Sequence, residues 1–267
     1  MYRDTVRQTA NVASVVLALT VNILASALPL NGQNTGEISD RFKVYFVPAG
    51  YVFAIWGLIY IGWIGFAIYQ ALPAQKENPR LRRLGYPFAL SGVFNAAWLF
   101  AWHYDKFGLS VIIMLVLLAL LIASYLRLNV GMSPVTKAEN WLVDVPFGTY
   151  LGWISVATIA NIADWLYLVR WDGLGIQPQV WAVIMLAVAG VLGILMATTR
   201  HEAAFLFVLA WSFAGIAVKQ EGTPMVAASA AVLAVIVFGL GLYSIWRRRN
   251  AGDFIDRGGG RSKAISG

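Results

Sequence analysis

The stretch Phe107–Leu126, FGLSVIIMLVLLALLIASYL, runs for 20 residues without a charge. About 20 apolar residues in a helix cross the ~30 Å of hydrocarbon in a bilayer. A backbone in lipid must satisfy its own polar groups, which a helix does. Seven further apolar stretches stand around this one: Thr9–Leu28, Tyr51–Leu72, Leu84–Trp102, Leu142–Leu168, Val180–Thr199, Ala203–Val218 and Met225–Trp246. Ala203–Val218 is short, and Leu142–Leu168 is long, with Asp144 and Asp164 near its ends. The alternating ten-residue segments of a membrane barrel do not occur. The expected fold is an all-α integral membrane protein with eight transmembrane helices.

Composition agrees. Of 267 residues, 59% are hydrophobic and 12% charged, with a mean hydropathy of +0.68. Soluble domains carry about 25% charge, so a soluble enzyme is excluded. Disorder is excluded by the same figures. The chain has no cysteine, which removes disulfides, thiolate catalysis and cysteine metal sites. The net charge of +7 is not a nucleic-acid footprint, because the cations flank apolar runs. With eight spans, Arg3, Arg7, Lys76, Arg80, Arg82, Arg83, Arg127, Lys137, Arg200, Arg247, Arg248, Arg249, Arg257, Arg261 and Lys263 fall on one side. Arg41, Lys43, Lys106, Arg170 and Lys219 fall on the other. Fifteen against five places both termini in the cytoplasm, and a bacterial cytoplasmic (inner) membrane is the expected location. Arg3, Arg7 and Ala25-Ser26-Ala27 imitate a cleavable signal peptide; the segment is read as a retained first span.

Eight of the 11 tryptophans lie at or before Trp171, and the last three spans are rich in Ala, Val, Leu and Gly. A break near Asp172–Gln177 divides a five-helix domain, 1–171, from a three-helix extension, 172–249. A disordered cytoplasmic tail is expected over 250–267. The segment Pro29–Val47 is polar and turn-rich, then amphiphilic through Arg41-Phe42-Lys43-Val44-Tyr45-Phe46. It reads as a lid or as a connector. As a lid, it brings Phe42, Tyr45 and Phe46 as apolar contacts and Arg41 and Lys43 as partners for carboxylates.

The catalytic inventory is nearly empty. His103 and His201 sit at span ends and read as interfacial; no metal site is expected. There is no phosphate-binding glycine loop and no G-x-S-x-G. Asp164 is expected to be hydrated or capping near the external end. What remains is a set of aromatic and amide side chains at one depth. Trp56 and Tyr60 lie one turn apart. Asn95, Trp98 and Trp102 share a face, and Trp153, Ala157, Asn161 and Trp165 form an i, i+4 ridge with Asn22 at similar depth. Aromatic walls with sparse polar anchors make pockets for flat apolar molecules. An interfacial aromatic belt with asparagine as interhelical glue accounts for the same residues.

These residues resemble the TspO/MBR family of tryptophan-rich sensory proteins, which includes the translocator protein. The likeness rests on Pro48-Ala49-Gly50-Tyr51-Val52-Phe53-Ala54-Ile55-Trp56 leading to Tyr60, on Asn95 and Trp98, and on Tyr150, Trp153, Asn161 and Trp165. The connection Ser133-Pro134 through Trp141-Leu142 is also similar. Phe53 stands one residue closer to Trp56 than is usual, the proline near Tyr150 is displaced to Pro146, and the family's five helices leave three spans over. The resemblance implies a membrane receptor or carrier for a hydrophobic, tetrapyrrole-like ligand between helices 1, 2, 3 and 5. Trp56, Tyr60, Asn95, Trp98, Tyr150, Trp153, Asn161 and Trp165 are its expected contacts. No cofactor is required beyond a porphyrin- or haem-like ligand, and light-dependent porphyrin degradation is the weaker expectation. The loose cholesterol pattern occurs twice, ending at Arg127 and Arg247, and carries no weight. The competing reading is a structural or regulatory subunit of a larger membrane complex, motivated by Gly190-x2-Gly193 and Gly239-x-Gly241. The expected partners are the lipid bilayer and a small hydrophobic ligand, without nucleic acid; a homodimer or a membrane-complex partner stays open.

Overall fold

The computed structural model describes residues 2–28 and 30–251. Pro29 and most of the expected tail, including Arg257, Arg261 and Lys263, lie outside the described residues.

Eight helices of 17 residues or more occur among the described residues: α1 (Tyr2–Ala27), α2 (Ile55–Ala71), α3 (Pro87–His103), α4 (Phe107–Leu128), α5 (Val145–Leu168), α6 (Pro178–Thr199), α7 (Ala203–Lys219) and α8 (Pro224–Asn250). Each matches one of the eight apolar stretches. The protein is an integral membrane protein: six of these helices, counting the turns that run into α2 and α5, are long and apolar enough to cross a bilayer. The other two, α3 and α7, have 17 residues each. The first helix begins at Tyr2, not Thr9, because Asp4 and Arg7 are buried in side-chain bonds rather than left in water. The last helix runs to Asn250.

Helices α2, α1, α3, α4 and α5 close into a ring in that order, with α5 returning to α2. The second group, α6–α8, joins the ring where α7 packs on α5. Helix starts are set by proline: Pro87, Pro146, Pro178 and Pro224 each occupy the first turn, where the missing N–H costs nothing. Tight crossings are set by small residues. A Cβ on Gly92 would fall 2.9 Å from the Ser14 carbonyl oxygen, so α1 and α3 meet backbone to backbone. Gly190, Gly193 and Gly241 face Leu233, Leu209 and Phe207. These three glycines are thus taken up by packing within this chain, whereas a Cβ on Gly239 would meet nothing within 4 Å.

The end that carries the termini is fastened by ion pairs and charged side chains. Arg82 grips Asp4 through Nε and Nη2, at 2.7 and 2.8 Å. Arg7 donates to Leu81 O and Lys76 O. Asp144, in a π-helical turn before α5 and fully buried, pairs with Arg80 and lies 3.6 Å from Arg248 of α8. Glu202, also buried, caps α7 by accepting from Ala204 N and Phe205 N. Gly148 admits that carboxylate against α5, since a Cβ there would lie 2.3 Å from Glu202 Oε2.

Two outcomes follow from this packing. Gly92→Ala should destabilise the fold by about 1–3 kcal/mol through overpacking, read as a lower midpoint in a thermal unfolding scan in detergent. Burial pushes the Glu202 carboxyl from 4.5 up to about 7, with Asp144 adding to the effect and the capping N–H groups opposing it. A folded-state value above the unfolded one stabilises at low pH, and that stability is lost as pH rises from about 4.5 through about 7. The melting temperature should therefore fall across this window, and the fall should be smaller in Glu202→Gln.

Candidate functional site

The end opposite the termini is covered by residues 30–54. A short helix, Thr35–Asp40, is closed by a capping box between Asn34 and Glu37. The chain then crosses to a 3-10 helix, Gly50–Ala54, that leads into α2. Ala49 N donates to Gly215 O, and Trp211 Nε1 donates to Val52 O, so α7 holds this turn in place.

Beneath it lie two aromatic clusters. In the first, Trp56 stacks on Tyr60 at 5.8 Å and meets Trp153 edge-on at 6.2 Å. Trp63 reaches Tyr150 at 4.9 Å, and Phe53 closes on Trp153 at 5.6 Å. A relay of amides backs these rings: Tyr60 Oη donates to Asn22 Oδ1, and Asn22 Nδ2 donates to Asn95 Oδ1 at 2.8 Å. Asn95 Nδ2, Trp63 Nε1 and Trp153 Nε1 are buried without a hydrogen-bond partner, and Tyr150 Oη faces Asn95 without closing a well-formed bond.

The second cluster joins α3, α4 and α5. Trp98 Nε1 donates to Asn161 Oδ1 at 3.1 Å, and Asn161 Nδ2 donates to Ser110 Oγ at 2.9 Å. Trp98 stacks on Trp102, which packs against Phe107. Phe42 of the covering segment inserts here, at 5.0 Å from Phe107.

A cavity of about 420 Å³ opens elsewhere, between α5, α6 and the covering segment. Ile159, Ile162, Ala163 and Leu166 form one wall, and Pro178, Ala182 and Met185 the other. Lys43, Tyr45 and Phe46 roof it. It exists because α5 and α6, although consecutive, barely meet, while α7 packs on both.

A family model described as TSPO-like protein matches residues 8–243. The chain belongs to the TSPO-like family. No curated protein and no solved structure matches the chain. The family match continues through α6, α7 and most of α8, so the helices beyond Trp171 lie within the TSPO-like match.

The TSPO-like frame separates the expected contacts. Trp56, Tyr60, Tyr150, Trp153 and Asn95 meet in the first cluster, and Trp98 and Asn161 in the second. Trp165 turns to α4 and covers Gly108, where a Cβ would lie 3.2 Å from its Nε1. Neither cluster lines the large cavity. Of the covering segment, Lys43, Tyr45 and Phe46 face that cavity. Arg41 turns away, paired with Asp105 and lying over the rings of Phe42 and Phe107. Trp63 and Ser110 were missed by sequence. Trp63 stands seven residues after Trp56 and three after Tyr60, the same helical face, and that spacing identifies it.

The surroundings of His103 and Asp164 are more enclosed than their positions near helix ends imply. His103 ends α3, where the span meets the loop, and is fully buried there: its Nδ1 sits 2.8 Å from Leu99 O, and Asn31 Nδ2 donates to its carbonyl. Asp164 is 1% exposed with its Oδ1 buried and unpartnered, and it caps no helix end. The cation acting on it is Lys219, whose Nζ is held 2.6 Å from Asp40. Among the described residues, no three of His, Asp and Glu gather at metal-binding distance.

Replacing Asn161 by Leu strands Trp98 Nε1 in a buried position. A stranded donor costs about 1–3 kcal/mol. Asn161→Leu should therefore lower the unfolding midpoint, and Trp98→Phe in the same background should recover part of the loss, as a double-mutant cycle by thermal denaturation would show.

Proposed function

We propose that this TSPO-like protein is a receptor or carrier for a hydrophobic, tetrapyrrole-like ligand within the bilayer, not an enzyme. In this reading all eight helices span the membrane and both termini are cytoplasmic. The observation that carries the reading is the set of buried polar groups without partners in the first aromatic cluster. Trp63 Nε1 and Trp153 Nε1, with Asn95 and Tyr150 Oη facing each other without a well-formed bond, stand among stacked rings at the junction of α1, α2, α3 and α5. Each costs about 1–3 kcal/mol when left unpaired, and buried polar groups are otherwise nearly always bonded. A flat macrocycle with nitrogen and carboxylate acceptors satisfies such donors while its faces stack on the rings.

Trp56 and Tyr60, half-buried at the edge of the cluster, are the rings that would move aside for it. Binding here needs no acid, base or metal, and the chemistry asked of the protein is recognition alone. Tryptophan fluorescence in lipid nanodiscs should quench saturably with protoporphyrin IX, beyond the quenching seen with a small apolar quencher. The variant Trp153→Leu, which alters a ring of this cluster, should bind about tenfold more weakly. Equal affinity in the variant removes the support for this site, and the absence of saturable quenching in the native chain removes the ligand class.

A further inference from the structure

The cavity between α5 and α6 has its own chemistry, and it lies on the opposite face of α5 from the aromatic clusters. Its apolar wall on α5 runs from Ile159 to Tyr167, ~12 Å at 1.5 Å per residue. The volume of about 420 Å³ falls within the ~300–1,000 Å³ of ligand sites. Trp181 is fixed in the far wall by donating to Gly173 O at 2.8 Å, and Trp171 leans on it at 5.3 Å. The roof is latched to α6, because Gln179 Nε2 donates to Tyr45 Oη.

The mouth carries two charges. Lys43 is exposed there and forms no ion pair among the described residues. Asp172 stands on the same rim, with its Oδ1 accepting from Leu174 N. One free cation favours one carboxylate, and the neighbouring acid repels a second. The interior offers apolar surface at the depth of the bilayer, and Tyr167 and Ile176 at the rim remain exposed to it.

We propose that this slot binds an elongated apolar monocarboxylic acid taken from the adjacent leaflet, with its chain between α5 and α6 and its carboxylate on Lys43. The site is separate from the tetrapyrrole site proposed above and stands without it. It also gives the second helix group a role, since α6 supplies one wall and the latch on the roof.

Parinaric acid, a fluorescent polyene fatty acid, is the probe, read by energy transfer from tryptophan in nanodiscs of neutral lipid, with empty nanodiscs as background. The native chain should give a saturable signal, and the methyl ester should bind about tenfold more weakly. Lys43→Gln should remove that difference by weakening the acid alone. Asp172→Asn should allow a dicarboxylic acid of equal length to compete, which the native chain resists. Ala163→Phe should abolish the saturable signal for acid and ester, with Ala163→Leu as the smaller intrusion where Phe prevents folding. Equal binding of acid and ester to the native chain overturns the proposal, and would mean that Lys43 meets only lipid phosphates. Undiminished binding by a folded Ala163 variant overturns it too. Protoporphyrin affinity should be unchanged in the Ala163 variants, which keeps this test independent of the previous one.

Discussion

Asp144 is the charge around which the two helix groups are assembled. It sits fully buried at the start of α5, pairs with Arg80 from the short helix Pro79–Leu84, and lies 3.6 Å from Arg248 at the end of α8. A buried carboxylate is costly unless cations and donors surround it. Arg80 also donates to Leu128 O at the end of α4, and Arg248 donates to Asn140 Oδ1 just before Asp144. The segments that meet here come from the ring and from the second group alike. Removing the carboxylate would leave two guanidinium groups without the negative charge that faces both of them. The arrangement fixes where α8 ends relative to α5, and with it how α6 and α7 stand against the ring.

At the other end, packing is governed by volume rather than charge. The ring interior is filled by indoles and phenols that meet at 4.9 to 6.3 Å, so its polar groups are satisfied among themselves or left over. The large cavity arises outside the ring, where a short connection, 169–177, joins two helices that diverge. Gly173 and Gly175 there take positive φ values of 67° and 75°, the conformation glycine adopts without a Cβ penalty. Leu174, between them, is also left-handed at 56°, so the turn is tight and reverses the chain without bringing α5 and α6 together.

Each long helix was legible in the sequence, because a bilayer demands long uncharged runs and the chain supplies eight of them. The depth of Asn22, Asn95 and Tyr60 was legible too, since helical rise fixes it, and those three residues are bonded to one another. Azimuth was not legible in the same way. Trp165 continues the ridge of Trp153 and Asn161 on paper, yet the absence of a side chain at Gly108 draws it toward α4. Arg41 and Lys43 are two residues apart with the same charge. Asp105, 64 positions away from Arg41, separates their roles, and no local pattern announces that pairing. The cavity was invisible because it depends on which consecutive helices fail to touch.

The contact between α7 and the start of α2 has a consequence for how the protein is made. Trp211 reaches Val52 O across 159 positions, Ala49 donates to Gly215 O, and Gly215 has no Cβ because Val52 occupies the place. At ~5–20 residues per second of synthesis, those 159 positions correspond to roughly 8–32 s. During that interval the first helices are in the membrane while the turn that begins α2 lacks its seat. The entry into α2 therefore takes its final seat only once α7 has been made. A chain cut short after Trp171 would keep the indoles of the ring but lose the α7 surface that seats the turn into α2.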